Sequence, residues 1–76
     1  MKEDSNKLKK IKEITCEVLN IDEIDDSAKQ EDYIEWDSLA YLSIISELEV
    51  QFNINISSKN INNFGSVQNI LTNIMQ

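Results

Sequence analysis

The sequence predicts an all-α fold, and three observations support this class. The 76 residues include one glycine and no proline, which leaves too few turn residues for a β-sandwich. Apolar residues make up 41% of the chain and recur at helical spacing in three segments. A chain of this length has room for one small core. We therefore expect a single domain, residues 1–76: a small helical bundle of three main helices plus a short helix in third position, with a long loop between helices one and two.

The first apolar stripe predicts a helix that ends near Leu19. Its members recur every three or four residues, and lysines and glutamates occupy the positions between them. They are Leu8, Ile11, Ile14, Thr15, Val18 and Leu19. Residues 20–36 show no sustained period, but five large apolar residues are spread through them. These are Ile21, Ile24, Tyr33, Ile34 and Trp36. We expect a long ordered loop that these residues anchor to the core.

Asp37 is a preferred N-cap residue and predicts the start of the second helix. This helix runs from about Ser38 to Phe52, because apolar residues at helical spacing fill that segment. The predicted core stripe consists of Leu39, Leu42, Ile45, Leu48 and Phe52, and Ile44 widens it.

The last third of the chain predicts a connector and two helical segments. Residues 52–56 alternate apolar and polar side chains, but no second strand pattern exists to pair with them, so an extended connector is expected. One turn of helix is predicted at residues 59–62, with Ser57 or Ser58 as its cap. The closing helix should begin after Ser66 as N-cap. Its stripe is Val67, Ile70, Leu71 and Ile74.

Negative charge is concentrated in the predicted loop. The net charge is −7, and residues 20–37 hold eight carboxylates and one lysine. Nucleic acid is therefore not expected as a partner, because its phosphates bind Lys and Arg. A basic protein surface would be attracted to this segment. The alternative is an acidic loop that only keeps the domain soluble.

The residue types exclude several kinds of catalytic and metal site. The chain has no histidine, so it offers no Ser-His-Asp triad. Cys16 is the only cysteine, and we expect it to be a small residue at the margin of the core. A single cysteine also indicates a reducing compartment, so the cytoplasm is the expected location. Ser27 stands where a calcium loop starting at Asp22 needs glycine. The polar start of the sequence and the lack of a long apolar run predict no signal peptide and no membrane span. No catalytic and no metal-binding residue is expected.

Ser38 follows the predicted cap at the start of the second helix. Free backbone N–H groups and the positive end of the helix dipole favour an anion there, such as a phosphodiester. From these residues alone, an ordinary capped helix start is the favoured interpretation. Neighbouring residues have to decide between the two interpretations.

The run Asp37-Ser38-Leu39 and the end of the second predicted helix together resemble the acyl carrier protein family. In that family D-S-L opens the second helix and a pattern E-x-x-F-x-I-x-I closes it. The closing residues are Glu49, Phe52, Ile54 and Ile56. The resemblance continues through the rest of the chain. It includes Phe64, Ser66, Val67 and Ile70.

The resemblance implies that Ser38 carries a covalent 4'-phosphopantetheine whose thiol holds acyl intermediates as thioesters, and that the chain itself is not an enzyme. It implies contact with partners through Asp37, Leu39, Trp36 and Glu47. The implied partners are a phosphopantetheinyl transferase and acyl- or aminoacyl-loading, acyl-transfer or condensing enzymes with basic docking surfaces. A monomer is expected of such a shuttle.

Three positions differ from carriers of general fatty acid synthesis. Trp36 precedes the D-S pair, and Ala40 and Ser43 stand where that subgroup carries acids. The expectation is therefore a dedicated carrier of a specialised pathway. An aminoacyl, peptidyl or D-alanyl carrier is the alternative within the family, and a small acidic helical adaptor is the alternative outside it. The apolar stripe of the second helix is expected to pack in the core, although some family members open this region to shelter an acyl chain.

Overall fold

The computed structural model describes residues 2–74 and contains three α-helices. They are α1, Lys2–Leu19, α2, Ser38–Phe52, and α3, Val67–Ile74. Two single 3-10 turns lie between them, at Gln30–Asp32 and Ile61–Asn63. Across residues 2–74 the β-type backbone pairing consists of one isolated antiparallel bridge, between Lys29 and Ser66. The all-α prediction is confirmed, as are the long loop after α1 and the short third helical element.

Helix α1 packs against both α2 and α3 through the predicted stripe. Ile11, Ile14 and Leu19 are buried, and the hydroxyl of the buried Thr15 donates to the carbonyl of Ile11 over 2.8 Å. The helix begins at Lys2, well before Leu8, because an apolar stripe marks only the part of a helix that packs. The chain leaves α1 at Asn20 with φ 58°, a left-handed conformation that asparagine tolerates.

The buried face of α2 differs from the predicted stripe. Leu39 and Leu42 are 77% and 52% exposed, whereas Ile44, Ile45 and Leu48 are buried. Leu39 precedes Leu48 by about two and a half helical turns and therefore lies on the opposite side of α2. The prediction was wrong for the first two leucines, because apolar character alone does not show which face of a helix packs.

The loop at residues 20–36 is anchored by four of the five predicted residues. Ile24 and Trp36 are buried, and Ile21 and Tyr33 pack partly against the core. Ile34 is 94% exposed, so its prediction as an anchor was wrong.

Backbone and ionic contacts hold the same loop in place. Gln30 N donates to Gly65 O over 2.8 Å, and Val67 N donates to Ala28 O over 3.0 Å. On the other side, Lys12 Nζ lies 2.6 Å from a carboxylate oxygen of Asp26. The loop is thereby joined to α1 and to the start of α3.

The connector after α2 is organised by Glu49. The helix ends at Phe52, and its C-cap, Asn53, has a φ of 54°. The Glu49 carboxylate then accepts a 2.8 Å hydrogen bond from Ile56 N. A connector without helix or strand follows from Ile54, but Phe52 still belongs to α2 and Asn53 is left-handed and not extended. The 3-10 turn lies about two residues later than predicted, and it has no side-chain cap. Ser57 instead accepts from Asn60 N through its backbone carbonyl, so the predicted cap by Ser57 or Ser58 was wrong.

The predicted cap of the closing helix is present. Ser66 Oγ accepts a 3.0 Å hydrogen bond from Asn69 N in the first turn of α3. Val67 and Ile70 are fully buried on the packed face of this helix. Leu71 and Ile74 pack partly against the same core. In residues 2–74 no helix is long and apolar enough to cross a membrane.

We predict that Glu49→Ala lowers the free energy of unfolding by about 1–2 kcal/mol, because it removes the charge-assisted hydrogen bond to Ile56 N. Glu47→Ala is the matched control, since Glu47 is also half-buried on α2. Urea unfolding followed by circular dichroism measures both changes. An equal loss of stability in the two variants would contradict the role given to Glu49.

Candidate functional site

Ser38 is the first residue of α2, and Asp37 caps that helix. Asp37 is extended, with φ −89° and ψ −171°, and its Oδ1 accepts a 2.9 Å hydrogen bond from Ala40 N. Its carbonyl accepts from Tyr41 N over 2.8 Å. The predicted cap is confirmed. The N–H groups of Ser38 and Leu39 precede this first helical bond, so they are available to an anion at the positive end of the dipole.

A cleft of about 390 Å³ opens beside Ser38. It lies between the start of α2 and the segment at residues 61–65, and amide, hydroxyl and apolar side chains contribute to it. The lining residues are Gln30, Ser38, Tyr41, Leu42, Ile61, Asn62 and Gly65. A more polar groove of about 690 Å³ shares Gln30, Asn62 and Gly65 with this cleft and extends toward α3. The serine therefore lines a cleft that borders a second, more polar groove.

The hydroxyl of Tyr41 fixes one wall of the cleft. It donates to Ile61 O over 2.5 Å and accepts from Phe64 N over 3.0 Å. A Cβ added to Gly65 would lie 3.9 Å from Tyr41 Cε2, so the backbone of Gly65 lies close to the ring. One side chain of α2 thus holds the segment at residues 61–65 in position.

The surface before and after Ser38 combines apolar and acidic side chains. Ile34 precedes the serine by four residues and is 94% exposed, and Leu39 and Leu42 follow it on α2. We call these three residues the apolar patch. Exposed carboxylates lie along the chain on the approach to Ser38. They are Glu31, Asp32, Glu35 and Asp37.

The structure brings only part of the predicted partner-recognition set to this surface. Asp37 and Leu39 are exposed next to Ser38. Trp36 is 2% exposed, so its side chain packs in the core and offers little surface for contact. Glu47 lines a shallow groove with Glu17 and Val18 of α1 and follows Ser38 by about two and a half helical turns, which places it on the other side of α2.

The sequence did not place several residues of the apolar patch and the cleft at this surface. Ile34 was interpreted as a core anchor, although the acids on both sides of it indicate an exposed segment. Gln30, Asn62 and Gly65 belong to loops, and their meeting at the cleft depends on the tertiary fold.

Trp36 acts as an anchor immediately before the capped serine. Its indole Nε1 is buried and has no hydrogen-bond partner among the described residues. The apolar ring supplies enough burial to offset an unpaired N–H group. Its position fixes the chain one residue before Asp37.

Other chemistry is limited in the part of the chain that the structure describes. Residues 2–74 hold no cluster of three or more His, Cys, Asp or Glu side chains that suits a metal ion. Cys16 is half-buried and packs against the core, as predicted. Burial raises the pKa of its thiol, while the nearby Lys12 opposes this shift. A higher pKa leaves less of the reactive thiolate near neutral pH.

Comparison with protein-family models finds one match that covers most of the chain. The model described as "Phosphopantetheine attachment site" matches residues 9–74, which include Ser38, the cleft and all three helices in whole or in part. No significant match is found among curated proteins or solved structures. Proteins of this family carry 4'-phosphopantetheine covalently on a serine. The chain therefore belongs to the phosphopantetheine-attachment family and is a carrier domain of the acyl carrier protein type.

Proposed function

We propose that Ser38 is the attachment serine and that the chain carries acyl intermediates as thioesters for a biosynthetic pathway. One observation carries this proposal: an exposed serine starts a helix of 15 residues directly after a separate capping residue, beside an open cleft. The hydroxyl groups of two other serines in the matched region already form hydrogen bonds within the protein. Ser27 donates to a carboxylate oxygen of Asp25, and Ser66 caps α3.

The geometry suits a phosphodiester at Ser38. The Asp37 carboxylate accepts the hydrogen bond from Ala40 N, so the helix does not need the Ser38 hydroxyl as a cap. In the modification, Ser38 Oγ forms a bond to the phosphorus next to the pantetheine of coenzyme A. The bond from that phosphorus to the rest of the pyrophosphate breaks, and the serine proton goes to a base of the transferase. The chain has no histidine to act as that base, in line with a substrate role.

We predict that the apo-protein gains the mass of one phosphopantetheine when it is incubated with coenzyme A and a broad-specificity phosphopantetheinyl transferase. Ser38→Ala should abolish the gain, since no other serine has its position. Ser43→Ala, an exposed serine one and a half turns further along α2, is the matched control and should be modified normally. Intact-protein mass spectrometry gives the result. A gain that persists in Ser38→Ala, or no gain in the wild type, would refute the attachment site.

The acidic approach to Ser38 supports docking by basic enzymes. The apolar patch can enter an apolar depression on a partner, while Glu31, Asp32, Glu35 and Asp37 face Lys and Arg around it. Such charges accelerate encounter and are screened by salt. We propose that Asp37, Leu39, Ile34 and Leu42 contact the transferase and other partners. Glu47, on the other side of α2, is proposed to contact only partners that extend around that helix.

The two roles of Asp37, capping and recognition, can be separated by substitution. Asp37→Ser keeps an oxygen that accepts from Ala40 N and should preserve stability, whereas Asp37→Ala should cost about 1 kcal/mol of unfolding free energy. We expect both variants to lower the transferase kcat/KM by about fivefold at low salt, with a smaller loss at high salt.

Unfolding in urea and transferase kinetics at two salt concentrations measure these effects. Full activity of Asp37→Ser would show that the carboxylate serves as a cap alone. That result would remove Asp37 from the proposed docking surface.

The outer face of α2 supports a carrier dedicated to a specialised pathway. Ser43 is exposed and Ala40 is half-exposed. This face is therefore neutral at two positions where carriers of general fatty acid synthesis have acidic residues. Only two carboxylates lie on α2, and Glu49 is already bonded to Ile56 N. Partners that require acids on this face would bind weakly. An aminoacyl, peptidyl or D-alanyl carrier shares the same site and is the alternative.

We predict that the holo-protein is a poor substrate for the malonyl-loading and condensing enzymes of general fatty acid synthesis. Relative to the housekeeping carrier of the same host, kcat/KM should be lower by at least about tenfold, equivalent to about 1.4 kcal/mol. Steady-state turnover of both carriers provides the comparison. Equal turnover would contradict the specialised role and leave the attachment site unaffected.

A further inference from the structure

Tyr41 lies between the cleft at Ser38 and the hydrophobic core. It lines the cleft, and its ring also packs partly against the buried cluster. It follows Ser38 by three residues, so both side chains lie on neighbouring positions of the same helix face. Any group that passes from the serine into the interior on this side meets the Tyr41 ring.

Two hydrogen bonds keep that ring in place. The hydroxyl joins Ile61 O at 2.5 Å and Phe64 N at 3.0 Å, so it spans from α2 to both ends of the 3-10 turn. Movement of the ring away from the cleft breaks both bonds. It also leaves the backbone groups of Ile61 and Phe64 without this partner, which carries a desolvation cost.

The space behind Tyr41 is filled. Five core side chains from α2, the end of the 3-10 turn and α3 are at most 4% exposed. They are Ile44, Leu48, Phe64, Val67 and Ile70. Protein interiors are packed at the density of organic crystals, so an alkyl chain can enter only if these groups separate. Separation of α2 from the segment at residues 61–64 again requires release of the Tyr41 hydroxyl.

We propose that Tyr41 is a closed gate that keeps the cargo out of the core, so that this carrier takes short polar acyl or aminoacyl groups and not long alkyl chains. The proposal rests on the proposed function of Ser38. The cleft outside the gate suits such cargo, because the side chains of Gln30 and Asn62 offer amide donors and acceptors there. A long alkyl chain would lie exposed to water in this open cleft, because its lining is only partly apolar.

The test compares acetyl and octanoyl thioesters on three proteins: the wild type, Tyr41→Phe and Tyr33→Phe. Tyr33 is the other tyrosine of the chain and is also half-buried, on the loop, so it is the matched control. Each apo-protein is loaded with acetyl- or octanoyl-coenzyme A by the transferase. The rate of thioester cleavage by hydroxylamine then measures how far the cargo is protected.

In the wild type and in Tyr33→Phe we expect octanoyl and acetyl thioesters to be cleaved at rates within about twofold, because neither chain is protected. In Tyr41→Phe the octanoyl thioester should be cleaved about fivefold more slowly than the acetyl thioester, because the opened gate admits it. Amide hydrogen exchange at Phe64 should be about tenfold faster in apo Tyr41→Phe than in the apo wild type.

Two results overturn the gate. One is octanoyl protection already in the wild type, and the other is equal cleavage of the octanoyl thioester in the wild type and Tyr41→Phe. Unchanged exchange at Phe64 overturns the latching role of the hydroxyl. Failure to load any thioester is a different result: it refutes the proposed function of Ser38 and the cargo class with it, while exchange in the apo-proteins still tests the latch.

Discussion

The arrangement of the site depends on two backbone hydrogen bonds that join the loop to the start of α3. Gln30 N binds Gly65 O, and Val67 N binds Ala28 O. Residues 2–74 contain no sheet that could order the loop of residues 20–36, so these bonds and the burial of Trp36 provide that order. The same junction brings Gln30 and Gly65 together at the cleft. Without it, Gln30 would not be held against Gly65 beside Ser38.

This anchoring explains how the loop tolerates its charge. Eight carboxylates in residues 20–37 repel one another, which opposes a compact loop. The apolar anchors turn inward, and the carboxylates described around Ser38 remain exposed, where water and salt screen them. Asp26 is compensated by Lys12, whose pKa rises through their hydrogen bond. The charge that weakens the fold locally is also the charge that a basic partner would recognise.

Local patterns predicted the helices and their caps, but not the surfaces. Asp37 and Ser66 were identified correctly because a cap depends on a few adjacent residues. Leu39 and Ile34 were assigned to the core because hydrophobicity does not show which way a side chain points. A loop also has no helical repeat from which the buried side could be inferred. Tyr41 was not singled out, since its hydroxyl binds groups 20 and 23 residues away. The proposed attachment serine, Ser38, was predicted from family resemblance, because its helix-cap chemistry is ordinary.

At the start of α2, the cap, the proposed attachment site and the proposed gate are three different residues. Asp37 satisfies Ala40 N, so Ser38 is free to change chemically without loss of the cap. Ser66 shows the contrast, because its hydroxyl is bound to Asn69 N and a substituent there would open the first turn of α3. Tyr41, one turn further, binds the segment at residues 61–64 on the side of the core. Side chains at these positions of a helix point in different directions. A bulky arm on Ser38 or a partner at Leu39 would therefore leave the packing of Ile44 and Leu48 unchanged. A carrier that many enzymes must handle in turn requires that independence.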